Sequence, residues 1–153
     1  MIRLGPAFLG PLALVATNAL SQPSVVTRCM SPLGHGYYFA GGLVAAKDTG
    51  WQREAITNGQ YLLLRDKEGS FDIVFTDATK RTLSTKEDGG SVLVANNVDG
   101  SIVLLVIYPQ MSIETWVFNL DASGAGKVSV SQARYGDAAL VRKHSLMAAD
   151  CRK

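Results

Sequence analysis

A chain of 153 residues with 47% apolar and 18% charged residues carries enough apolar material for one buried core and too little charge imbalance for disorder. The formal charge is +2, and the basic residues are scattered singly or in short pairs such as Lys80-Arg81, Arg142-Lys143 and Arg152-Lys153. That scatter excludes the basic stripe of a nucleic-acid binder and the polybasic patch that holds a protein on anionic lipid.

The chain starts with a short basic stretch, Met1-Ile2-Arg3, followed by an uncharged apolar run over residues 4–15 and a small-residue zone, Ala16-Thr17-Asn18-Ala19-Leu20-Ser21. These are the three parts of a secretory signal, with cleavage expected after Ala19 or Ser21. The apolar run is shorter than the roughly 20 residues of a membrane span. It is also broken by Gly5-Pro6 and Gly10-Pro11, so no stable membrane anchor is expected after cleavage. Arg28, next to Cys29, is the wrong residue for lipidation at that cysteine. The expected organisation is a signal peptide over 1–21 and a single domain over 22–153, periplasmic or secreted.

Cys29 and Cys151 are the only cysteines, and both lie beyond the signal. In an oxidising compartment an even count predicts a disulfide, here tying the start of the domain to its end. The two histidines, His35 and His144, also flank the two ends, so converging termini open a second option, a Cys₂His₂ metal site. Its spacing is wider than in ordinary zinc motifs, and export favours the disulfide. No metal or cofactor is expected.

From Gly36 onward, short apolar runs alternate with turn signals at intervals of about 8–12 residues, the mark of an all-β sandwich or barrel. The first strand is expected at Tyr37–Ala46, bent by the glycines around it, with Tyr37, Tyr38 and Phe39 in core and rim packing. Asn58-Gly59 predicts a hairpin between Trp51–Thr57 and Gln60–Arg65. Ser70–Thr76 alternates cleanly, with Phe71, Ile73 and Phe75 on one face. Arg81–Thr85 reads as a polar edge strand, and Ser91–Ala95, Ser101–Tyr108, Ile113–Leu120, Lys127–Arg134 and a segment near Val141–Ala149 complete the set. Short links favour antiparallel neighbours, so the expected fold is an antiparallel meander forming a small barrel or a two-layer sandwich.

Ser101–Tyr108 breaks the alternation, because Ile102 through Ile107 is apolar on both faces and both want cover. Tyr108 can place its hydroxyl at a wet rim. Its face, with Ile102, Leu104 and Val106, is therefore the candidate interface for a partner or ligand. The all-aliphatic set Val103, Leu105 and Ile107 is assigned to the main core.

Catalytic patterns are thin. No Gly-x-Ser-x-Gly elbow or Ser-x-x-Lys pair exists, and Asn96–Gly100 lacks the ligand spacing of a calcium loop. Gly34-His35-Gly36 and Gly41-Gly42 do not sit between a strand and a helix as phosphate loops do. The expected function is a non-catalytic binding module for a small apolar ligand or an envelope protein. The alternatives are an accessory subunit of an envelope complex and, behind both, an enzyme with an unfamiliar site around His35 or His144.

Overall fold

The computed structural model describes residues 22–98 and 100–153, so the expected signal over 1–21 and Asp99 lie outside the described residues. The described chain is all-β and antiparallel. Its strands are β1 (Ser24–Tyr38), β2 (Gly50–Ala55), β3 (Gln60–Arg65), β4 (Phe71–Thr76), β5 (Thr82–Ser84), β6 (Ser91–Val98), β7 (Ser101–Tyr108), β8 (Ser112–Leu120), β9 (Gly126–Arg134) and β10 (Lys143–Arg152). One 3-10 turn at Ala46–Asp48 precedes β2. All strands belong to one sheet in the order β5-β4-β3-β1-β10-β9-β8-β7-β6, with β2 also on β1. The sheet curls so that β4 approaches β6, which makes a half-barrel with a concave inner face.

Two runs of consecutive hairpins, β3 to β5 and β6 to β10, are joined through β1. This strand pairs with β10 along one edge, from Arg28↔Arg152 to Tyr38↔Lys143. Along its other edge it takes β3 over its first half and β2 over its second. β2 and β3 are thus two pieces of one interrupted strand. The Asn58-Gly59 signal does mark a turn, but not the hairpin expected from it. Gly59 N–H donates to Ile56 C=O, Asn58 takes a positive φ, and the chain continues along the same edge of β1. β1 accommodates the break with its own irregularity between Met30 and Leu33, where Ser31 has φ 51°.

The strand expected at Tyr37–Ala46 is corrected to Ser24–Tyr38. Gly41 and Gly42 take φ of 118° and 58°, which ends extended pairing just after Phe39. The segment before them, despite Pro32, is recruited by partners on both edges. Elsewhere the alternation reads as expected. In β10, Ser145, Met147, Ala149 and Cys151 point inward while His144, Leu146, Ala148 and Asp150 point out.

The core fills the concave side with Leu63, Phe71, Ile73, Leu104, Val106, Phe118 and Val128, closed at one end by the cysteines. Cys29 and Cys151 are register partners, buried and joined as a disulfide across β1 and β10. The face assignment of β7 is reversed. Ile102, Leu104 and Val106 belong to the core, and Val103, Leu105 and Ile107 lie half-buried on the convex side. The reason is curvature. In a curled sheet the wet rim that suits Tyr108 is the mouth of the concave face, so the tyrosine marks the same face as the core.

Leu104 is fully buried, so Leu104→Ala should cost about 2–5 kcal/mol, and Leu105→Ala clearly less. Urea unfolding of the two variants checks the order, and a larger loss at Leu105 would contradict the assigned faces. The cysteines are 122 residues apart in sequence. Replacing both with alanine should cost up to about 4–5 kcal/mol in the chain-entropy account. A denaturation midpoint unchanged in the double variant would show that the bond does not constrain the unfolded chain.

Candidate functional site

Strand register stacks the inward side chains of β7 to β10 and β1 in rings along the concave face. The lowest rings are apolar: Ile102, Phe118 and Val128, then Leu104, Trp116, Val130 and Met147. Above them the ring changes character to Val106, Glu114, Gln132, Ser145 and Gly36. The last ring, at the mouth, holds Tyr108, Ser112, Arg134, Lys143 and Tyr38. The packed half of the face is therefore apolar and the open half polar. Between the polar rings and the opposite wall of β3, β4 and β5 lies a cavity of about 500 Å³. Tyr61, Ile73, Phe75 and Leu83 form that opposite wall.

Three carboxylates border this space: Asp88 from an exposed turn, and Glu54 and Glu114 from the strands, where the two are treated differently. Glu54, from β2, accepts from Lys143 Nζ and from the Tyr38 hydroxyl, each at 2.6 Å. The Lys143–Glu54 pair is largely buried. A Cβ at Gly36 would lie 2.5 Å from Glu54 Oε1, so the glycine gives the carboxylate its place against β1. Burial, reinforced by the bond to Glu54, pushes the Tyr38 hydroxyl up to about 12.

Glu114, from β8, is 8% exposed and has only neutral donors. Trp116 Nε1 donates to Oε2 at 2.9 Å, and Gln132 Nε2 donates to Oε1 at 2.5 Å. The ion pairs among the described residues are Lys127–Asp150, Arg142–Asp137 and Lys143–Glu54, none of which involves Glu114. Arg134 is exposed at the mouth, and its Nε donates to Gln132 Oε1 at 3.0 Å. Burial, with a smaller push from the like charge of Asp88, holds the Glu114 carboxyl above its ordinary range against the opposing pull of Gln132, Trp116 and Arg134. Tyr61 is likewise pushed up, by burial and then by the charge of Glu114. Its ring stands edge-on to Trp116 at 4.7 Å between centroids.

Of the candidate interface Ile102, Leu104, Val106 and Tyr108, only Tyr108 lines the cavity. The first three form its packed foundation. The aromatic run divides: Tyr38 turns inward, while Tyr37 and Phe39 join Trp51 and His144 in an outer cluster of edge-on rings. His35 is also on the outer face, and neither histidine lines the cavity. The Cys₂His₂ option is ruled out, since the cysteines face inward and are bonded to each other while the histidines face outward. No cluster of three or more potential metal ligands occurs among the described residues. Sequence reading missed Glu114, Glu54, Gln132, Tyr61 and Lys143. The clue was present in β8, where Glu114 occupies an inward position of a strand otherwise buried through Trp116 and Phe118.

The raised carboxyl at Glu114 has a defined consequence for stability. Its protonated form is the one the fold prefers, so the stabilisation is complete below the unfolded-state value and is lost as pH rises through the higher folded-state value. Asp77, Asp121 and Asp150 are shifted downward and act in the opposite sense, losing their contribution as pH falls. Those three are common to wild type and Glu114→Gln. The variant should therefore gain thermal stability relative to wild type as pH rises from about 4 to 8. Parallel melting curves at every pH would show that Glu114 ionises in the fold without cost. Comparison with known proteins finds no family model, no curated protein and no solved structure that matches the chain.

Proposed function

We propose that the protein is an exported, non-catalytic binding module whose half-barrel takes a small ligand with an apolar body and a polar head. The observation that carries this reading is the cavity of about 500 Å³ on the concave face, apolar on its deeper wall and ringed by hydrogen-bonding groups at its mouth. Small-molecule sites have that size and that division between an apolar lining and a few fixed polar groups. Tyr38, Tyr108, Ser112 and Ser145 supply hydrogen-bonding groups for a polar head, and Trp116, Val130 and Phe75 supply apolar wall. Export is supported by the disulfide, which suits an oxidising compartment, and by the order of residue types over 1–21. No helix among the described residues is long and apolar enough to cross a membrane.

Nile red, an uncharged apolar probe, should bind the protein at one site and brighten on doing so. Ser145→Phe puts a ring into the cavity and should abolish that signal while leaving the fold intact by circular dichroism. Undiminished binding in Ser145→Phe would place the probe elsewhere and remove the support for a ligand cavity.

A second reading, an accessory subunit of an envelope complex, is favoured by one observation. Val103, Leu105 and Ile107 on the convex face adjoin exposed Leu93 and Ile113, an apolar stretch across β6, β7 and β8. On that reading Leu105→Glu releases a partner or disperses an oligomer, as sedimentation would record, without emptying the cavity.

A further inference from the structure

Building on the cavity as a ligand site, we propose that it selects a ligand whose polar head is an alkylammonium group, held against Glu114 between the rings of Tyr61, Trp116 and Tyr108. The residues above would accept many uncharged heads, but the disposition of charge narrows the choice. Glu54 is already matched, since Lys143 and Tyr38 both bond its Oε1. Glu114 is not matched. Each of its oxygens takes one bond from a neutral donor, so both keep accepting capacity. It borders the cavity and is nine-tenths buried.

A buried carboxylate with no ion-pair partner is costly, and a cation entering the cavity lowers that cost. The neighbouring rings point to the same chemistry. Tyr61 and Trp116 line the cavity together with Tyr108, and the charge of Glu114 is felt at both tyrosine hydroxyls. Aromatic rings beside a carboxylate suit an ammonium group and offer nothing comparable to an anion. Among the cations of the cavity lining, Lys143 is engaged by Glu54, and Arg134 and Arg53 are exposed, where water screens them. Glu114 sits in the drier position, so it decides the sign of the preferred ligand.

Three probes of equal chain length separate the outcomes: octyltrimethylammonium, octanol and octyl sulfate, each titrated below its micellar range by calorimetry. The ammonium should bind about ten-fold or more tighter than the other two, and Glu114→Gln should bring it down to the level of octanol. Trp116 bonds Glu114 directly, so in a Trp51→Phe background its emission should shift with the ammonium and report where the ligand sits. Octanol or octyl sulfate binding as tightly as the ammonium would overturn this inference and leave the cavity as a ligand site. If none of the three binds and Nile red is also refused, the ligand-site reading fails, and this inference with it. The comparison among probes is made on the wild-type protein, so it stands even if Glu114→Gln does not fold.

Discussion

The pairing of β1 with β10 brings the two ends of the described chain side by side and converts two separate runs of hairpins into one curved sheet. Each run can form locally, strand upon preceding strand, at small cost in loop closure. The β1–β10 contact is different, because the strands come from opposite ends of the sequence and meet only after nearly the whole chain is in place. The Cys29–Cys151 bond lies in this seam, between residues that are already register partners. It removes the closure cost where that cost is greatest. Without the seam neither run could bury its inner face, since the apolar residues of β3 and β4 pack against those of β7 and β8 across the curve.

Curvature also sorts the chemistry along each strand. Where the sheet closes on itself near the cysteines, Leu63, Leu104 and Phe118 meet and fill the space. Toward the other end the walls diverge, packing gives way to a cavity, and the same inward positions carry Glu114, Gln132, Lys143 and Tyr38. The two inward carboxylates show two solutions to one problem. Glu54 is brought in with its own cation and made room for by a glycine, whereas Glu114 is held by an indole and an amide that supply bonds without charge. The first arrangement is self-sufficient, and the second leaves a carboxyl with no ion-pair partner beside open space.

The strands from β3 onward were legible because their alternation is dictated by a single buried face, and Phe71, Ile73, Trp116 and Phe118 announce it. β1 was not. Ser24, Thr27, Arg28 and Ser31 break any clear alternation there, and what makes the segment a strand is hydrogen bonding to β3 and β10, neighbours far away in sequence. The same limit explains β7. Both of its faces are apolar, so no local pattern states which one lies inside, and only the direction of curl assigns Leu104 to the core. The cavity was less visible still. Glu54, Tyr61, Glu114 and Lys143 come from four strands, and none belongs to a motif, because strand register assembles the site rather than spacing along the chain.

The break between β2 and β3 has a meaning for how such a cavity can change its dimensions over evolutionary time. Ala55 and Ile56 sit at this break and line the cavity, and the break is tied to β1 where Ile56 N–H donates to Pro32 C=O and Ser31 N–H donates to Gly59 C=O, which leaves Thr57 and Asn58 between the two ties. A residue gained or lost at Thr57-Asn58 shifts no register, since β2 and β3 are each fixed independently to β1 on either side. Within a paired strand of the wall the same event would turn inner side chains outward. The half-barrel thus has an expansion joint between β2 and β3, and it opens onto the space where a ligand would lie.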